Sequence, residues 1–231
     1  MSDVGVVIRT RNAERYLADS IRSVLEQSLA PGEIVVVDGD STDGTLEVLA
    51  TFGDSIRTVR QRRRGLAGAA QDGVDALTSP IVAFQDADDL WPPSRLEAMV
   101  GRLVEDTTLE GVMGRVEHFV SPELSEEEAR RFEIPEGPQP GAGLPSLVVR
   151  RTAFARAGEF LDGLSAGEYL EWIDRAVRAG VRIEAVETIA LRRRVHLHNF
   201  TRSPESKRDY VRAVREVMAR RRAEAAPPAE A

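Results

Sequence analysis

Asp86-Ala87-Asp88-Asp89 packs three carboxylates into four positions, one residue past the apolar run Ile81-Val82-Ala83-Phe84 and before a helical pattern opening at Pro93-Ser94-Arg95-Leu96. Carboxylates this close repel one another, and what relieves them is a hard cation or a ring of hydroxyls lying among them. Asp also recurs in connections because it forms turns and caps helices, so the cluster gains weight only from its company. A second acidic strand end, Asp38-Gly39-Asp40-Ser41-Thr42-Asp43-Gly44-Thr45, follows Ile34-Val35-Val36-Val37. Basic charge is grouped as Arg60, Arg62, Arg63 and Arg64, as Arg192, Arg193 and Arg194, and as Arg220, Arg221 and Arg222. The first two groups adjoin strand ends, where a guanidinium could meet a phosphate. The third reads as a solvated face of a terminal helix.

Alternating strands and helices must hold these groups. Val4 to Ile8 reads as a buried strand, and the loop Arg9-Thr10-Arg11-Asn12 leaves Asn12 as a helix cap. Leu17, Ile21, Val24, Leu25 and Leu29 follow the helical period until Pro31-Gly32 stops it. Ile34 to Val37 is too apolar for anything but a sheet covered on both faces. Ser41, Thr42 or Asp43 can cap the next helix, and Ile56 to Arg60 gives a third strand. The small-residue helix Leu66 to Leu77 would let a ligand or a strand approach Gly68, Ala69 and Ala70. Four such β-α units predict a mostly parallel sheet with right-handed crossovers, which binds ligands at the carboxyl ends of its strands.

Beyond the helix of Leu96, Val100, Leu103 and Val104, Val112 to Val120 reads as a strand and Ser121 to Pro145 as an exposed loop. Leu147 to Val149 and Arg150 to Ala157 suggest a short strand and helix, and Gly167 to Ala179 a helix stopped by Gly180. Two strands follow, Ile183 to Val186 and Ile189 to Val195, then a charged helix from Pro204 to Arg222 that could pair with a second chain. Glu224 to Ala231 reads as a disordered tail. The expected organisation is a single domain over 1–223, with halves meeting near 105, the terminal helix from about 204, and the tail after it.

The 231 residues, 42% of them hydrophobic, suffice for one α/β core. A net charge of -7 argues against general affinity for nucleic acid or acidic membranes, and no apolar run approaches the length of a membrane span. The absence of Cys excludes disulfides and thiolate metal sites, and with no export signal the expected location is cytoplasmic.

These motifs resemble those of the family 2 glycosyltransferases of the GT-A fold. The likeness rests on Val4 to Ile8 with Thr10-Arg11-Asn12 and Gln27-Ser28, on Val36 to Thr45, and on Asp86 to Asp89 with Pro92. It covers 3–105 closely and extends loosely to about Arg202. The resemblance implies a Rossmann-like, mostly parallel sheet flanked by helices, with a smaller C-terminal acceptor region. It implies inverting transfer of a sugar from a nucleotide-diphosphate donor, with Mn²⁺ or Mg²⁺ as cofactor. Asp38 would then face the nucleotide base, Arg9 and Thr10 would line the nucleotide cleft, and Asp86 would contact the ribose. Asp88 would hold the cation on the diphosphate, where it stabilises the charge of the leaving group. Arg193-Arg194-Val195-His196-Leu197-His198-Asn199-Phe200-Thr201 is similar to a segment that follows the last strand in many members. His196 would be a further metal ligand or diphosphate donor, and Arg193 or Arg194 a phosphate partner.

The sequence departs from that pattern in two places. The family's Gly-Glu-Asp at a helix start, which supplies the base, appears here as Gly167-Glu168-Tyr169. A phenol with an ordinary pKa near 10 is a poor base at neutral pH, which leaves Glu168 or Glu171, three apart on one helical face. Gly39 replaces a second Asp that often contacts the donor base, so the uridine donor is an open question. Two expectations follow: a metal-dependent glycosyltransferase, or a GT-A domain that binds a nucleotide sugar or a protein partner without turnover. The acceptor is left open among saccharide, lipid carrier, peptide and small metabolite, its site shaped by Ser121 to Pro145 and Phe160 to Ala166.

Overall fold

The computed structural model describes residues 2–200 and 203–225. Its frame is a seven-stranded sheet of order β3-β2-β1-β4-β6-β5-β7, from β1 (Val4–Thr10), β2 (Glu33–Asp38), β3 (Arg57–Arg60), β4 (Ile81–Asp86), β5 (Gly111–Val120), β6 (Leu147–Arg150) and β7 (Ile183–Val195). The first four strands are mutually parallel, β6 runs antiparallel to both β4 and β5, and β7 is parallel to β5. The mostly parallel α/β sheet expected from the sequence is therefore present, with β6 as its one reversal among the described residues.

Successive side chains of a strand point to opposite faces, and this pleat builds two apolar layers. Val4, Val6 and Ile8 pack with α1 (Leu17–Leu25) and α4 (Arg95–Glu105). Val7 and Phe84 point the other way, onto α3 (Gly65–Ala76), α6 (Thr152–Ala157) and α7 (Glu168–Arg178). Small residues in α3 serve the sheet: a Cβ on Gly73 would stand 2.2 Å from Val7 Cγ1. The remaining helices are α2 (Thr45–Ala50), the single turn α5 (Glu126–Ala129) and α8 (Pro204–Ala225).

Several local expectations are corrected. Asn12 does not cap α1; it sits at φ 50 and its Oδ1 accepts the Thr42 N–H at 2.8 Å, tying the loop after β1 to the loop after β2. Ser121 to Pro145 is not uniformly exposed: it contains α5, and it ends in a 3-10 turn, Leu144–Ser146, buried in the core. The two strands at 183–195 are one, with a register shift against β5 between Met113 and Val116.

The terminal helix is not a free solvated rod. Ala213 and Val217 are buried, and Arg220 and Arg221 pair with Glu171 at 2.7 Å and Asp174 at 2.8 Å on α7. One face of the helix is thus used within the chain, and the basic group read as a plain surface includes two structural cations. The disordered tail expected up to Ala231 lies, past Ala225, outside the described residues, as do Thr201 and Arg202.

Candidate active site

The acidic cluster stands at the carboxyl edge of β4, beside the end of β1 and with the end of β2 beyond it. Arg9, the penultimate residue of β1, is buried, and its guanidinium forks between two carboxylates. Nε and Nη2 donate to Asp86 Oδ1 at 3.0 and 2.5 Å, and Nη1 donates to Glu168 Oε1 at 2.8 Å. Burial opposes the Arg9 charge, but Asp86 and Glu168 outweigh it and the net shift is upward. Residues 159 apart in sequence thus meet on one cation. Asp86 keeps a partly open side chain; burial raises its carboxyl, Arg9 opposes this, and Asp88 adds to the rise.

Asp88 faces the end of β7. Its Oδ2 lies 3.0 Å from His196 Nε2 and 3.3 Å from the Asn199 amide nitrogen. The backbone N–H of His198 points at His196 Nδ1 at 3.3 Å, which orients the ring edge carrying Nε2 toward Asp88. Burial pushes the Asp88 carboxyl up, but the bond to His196 and its charge outweigh that and hold it below the usual range. Asp89 goes the opposite way: buried beside Asp88 and Asp86, its carboxyl is raised well above the ordinary value while Oδ1 accepts the Arg194 N–H at 2.8 Å. Three neighbouring carboxyls therefore divide their partners: Asp86 pairs with Arg9, Asp88 with His196, and Asp89 with the Arg194 backbone.

Other expected residues line the same edge or lie behind it. Thr10 Oγ1 is buried with no hydrogen-bond partner among the described residues. Asp38 accepts from Ser41 twice, from the hydroxyl at 2.6 Å and the backbone N–H at 3.1 Å, which shapes the loop after β2. A Cβ on Gly39 would lie 2.8 Å from Gln61 Oε1. Arg64 has an exposed side chain at the start of α3, where its backbone N–H donates to Asp162 at 2.9 Å. Arg194 is built into the wall: Nε donates to the Asp88 carbonyl at 3.0 Å and Nη1 to Ser121 Oγ at 3.3 Å.

Glu171 is a correction. It is fully buried, Arg175 of the same helix grips both oxygens at 2.8 and 2.9 Å and Arg220 of α8 reaches Oε1 at 2.7 Å, so both oxygens are committed to structural ion pairs. Tyr169 turns into the apolar layer, its hydroxyl 2.9 Å from Met113 Sδ, and burial raises it to about 12. Of the carboxylates at the start of α7, Glu168 alone reaches the Arg9 pair.

Three contributors had no role assigned from sequence. Asp89 and Asn199 were visible within their motifs, but only the fold pairs them with Arg194 and Asp88. Tyr16 gave no signal; it stacks on His196 with ring centres 4.5 Å apart and hydrogen-bonds Glu123.

The donor set around Asp88 fits a hard divalent cation in part. Octahedral ligands at about 2.1 Å place neighbouring donor atoms about 3 Å apart, and Asp88 Oδ2 and His196 Nε2 are 3.0 Å apart. No group of three or more His, Cys, Asp or Glu side chains converges among the described residues. Such a cation would therefore take further oxygens from a ligand, as Mg²⁺ commonly does from phosphates.

The chain that carries this acidic motif after β4 is matched by comparison with known proteins. The family model for glycosyl transferase family 2 matches residues 5–152, and the chain belongs to that family. An uncharacterized glycosyltransferase of Nostoc is 38% identical over 120 residues, 50% of this chain and 36% of that protein. The Escherichia coli protein named UDP-Glc:alpha-D-GlcNAc-diphosphoundecaprenol beta-1,3-glucosyltransferase WfgD is 32% identical over 105 residues, 45% of this chain and 42% of that one. The chain thus spans well under half the length of either relative. In fold it is similar to S. aureus TarS in complex with UDP-GlcNAc, with a TM-score of 0.71 and 16% identity over 94% of this chain and 65% of that one. No helix among the described residues is long and apolar enough to cross a membrane.

Proposed function

We propose that the chain transfers a sugar from a nucleotide-diphosphate donor to an acceptor hydroxyl with inversion, dependent on a divalent cation, with Glu168 as the base. The observation that carries this is the Arg9 fork. It fixes Glu168, which lies beyond the matched family region, against Asp86 of the donor motif. The nucleotide would lie across the ends of β2 and β1, near the unpartnered Thr10 hydroxyl, with Asp38 toward the base and Asp86 toward the ribose. The donors bound by the named relatives, UDP-Glc and UDP-GlcNAc, make uridine the first base to try.

In the transfer, the acceptor oxygen attacks the anomeric carbon from the face opposite the leaving group while its proton passes to a Glu168 oxygen. The C–O bond to the nucleoside diphosphate breaks, and the diphosphate departs with the bonding pair. Glu168 is suited to this because α7 begins at it and Arg9 fixes its orientation; the proton-accepting oxygen is the one not bound to Arg9. Mn²⁺ or Mg²⁺, held by Asp88 and His196, would supply charge stabilisation to the departing diphosphate. Arg194 holds the Asp88 carbonyl in place, and Asn199 fixes the side chain.

The test is binding and turnover together. A nucleoside diphosphate with Mn²⁺ at 100 times its Kd should stabilise the chain by about 2.7 kcal/mol, and chelator should remove the shift. Asp88→Ala should abolish metal-stimulated transfer, and Glu168→Gln should lower turnover about 10²-fold or more while leaving donor binding intact. Full activity in Glu168→Gln would remove the proposed base. The turn of Tyr169 into the apolar layer favours a second reading, a domain that binds a nucleotide sugar without transfer. Donor binding with no turnover on any acceptor would select it.

A further inference from the structure

The pleat splits the carboxyl ends of β5 and β7 into two faces. Across their parallel register His118 pairs with Arg193 and Phe119 with Arg194. The Phe119 face is closed: the Arg194 guanidinium carbon lies 5.0 Å from the ring centres of both Phe119 and Tyr16. The His118 face is open, and there His118, Arg193 and Asn199 meet Arg131, Phe132 and Glu133 of the loop after α5 around a cavity of about 270 Å³. Asn199 is the shared wall, since its amide also reaches Asp88 at 3.3 Å.

The lining has the chemistry of an oxyanion site. Arg131, which also pairs with Glu127 at 3.4 Å, and Arg193 line it with Glu133, and His118 Nδ1 is buried without a partner among the described residues. Burial, then the Arg193 charge, push the imidazole below its ordinary value, so it stays neutral. A neutral ring can donate one hydrogen bond without adding charge. Ligand pockets that enclose a whole molecule run to about 300–1,000 Å³, so this one takes a charged group rather than an entire ligand. Its place in the sheet separates it from the nucleotide side: Thr10 and Asp38 end β1 and β2, whereas β5 and β7 lie on the other side of β4.

We infer that this cavity is the subsite for an oxyanion of the acceptor, a phosphate or carboxylate group carried near the hydroxyl that receives the sugar. The word acceptor rests on the glycosyl-transfer reading above; the oxyanion chemistry does not. Arg131 and Arg193 supply the charge and His118 a directional hydrogen bond, while Asn199, its amide committed to Asp88 and the Arg194 carbonyl, forms the wall.

The chain has three histidines, His118, His196 and His198, so ¹⁵N-histidine labelling gives one reporter in the cavity and two at the Asp88 edge. Inorganic phosphate without metal is expected to shift the His118 signals saturably. Arg131→Glu, an exposed position, is expected to weaken that binding at least tenfold with the His196 and His198 signals in place. UDP, GDP or dTDP with Mg²⁺ is expected to shift His196 and to leave phosphate binding at His118 intact. Phosphate that leaves His118 unmoved, or that binds Arg131→Glu as it binds the wild type, overturns the oxyanion site. A nucleotide that displaces phosphate from His118 assigns the cavity to the donor and overturns the acceptor subsite. If phosphate shifts His118 but no nucleotide shifts His196, the donor cleft fails instead, and the assignment to an acceptor falls with it.

Discussion

At the scale of residues, the Arg9 fork decides the most. A planar guanidinium holds two carboxylates in one fixed geometry, whereas an ammonium donates from a single point on a flexible stem. Arg9→Lys should therefore keep the fold but lower turnover on the order of 10²-fold, since misplacing a base by about 1 Å costs that much. Turnover unchanged in Arg9→Lys would show that the fork does not orient the base. Glu123 offers a pH test. Burial pushes its carboxyl up, but the hydroxyls of Ser121 and Tyr16 outweigh this and lower it from 4.5 to about 2. A carboxyl lowered on folding contributes stability above its unfolded pKa and loses it as pH falls toward the folded one. Glu123→Gln should accordingly be less stable than wild type at pH 7, and the gap should narrow through the window between 4.5 and about 2. Denaturant melts at pH 7 and in the acid limb of that window measure it; a constant gap would contradict the assignment.

At the scale of elements, α7 is held from two sides. Its first residue, Glu168, answers to Arg9, while Glu171 and Asp174 answer to Arg220 and Arg221 on α8. The crossing is tight at Gly167, where φ is +81 and a Cβ would stand 2.6 Å from that of Ala213. Gly167→Ala should cost about 1–3 kcal/mol, through a left-handed backbone and an overpacked contact, and should lower turnover by moving Glu168. Chemical denaturation and steady-state kinetics test both halves. Glu168 and Glu171 show what spacing alone conveyed. Three residues apart, they share a helical face, but that face straddles the cleft and the α8 contact, and only the position of α8 separates their roles.

At the scale of the whole molecule, one sheet carries two apolar layers, and each layer contains one of the chain's two tryptophans. Trp91 lies in the layer of α1 and α4, and Trp172 in that of α3, α6 and α7. Because the central strands supply side chains to both layers, neither layer should melt without the other. Trp91→Phe and Trp172→Phe each leave a single reporter. Within either variant the fluorescence and far-ultraviolet circular dichroism midpoints in urea should coincide; separate midpoints would mean two independently folding layers.

The amino-acid sequence by itself determined the parallel half of the sheet, because β-branched runs such as Ile34 to Val37 can only be buried on both faces. It also determined where the acidic motif falls, since Asp86 comes one residue after the apolar run Ile81 to Phe84. What it left open were pairings between distant residues. Asp88 meets His196 across 108 positions and Arg9 meets Glu168 across 159. Periodicity reports which face of an element is buried but not which neighbour covers it, so the partners of Glu171, Arg194 and Arg220 were decided only when the sheet closed and α8 packed onto α7.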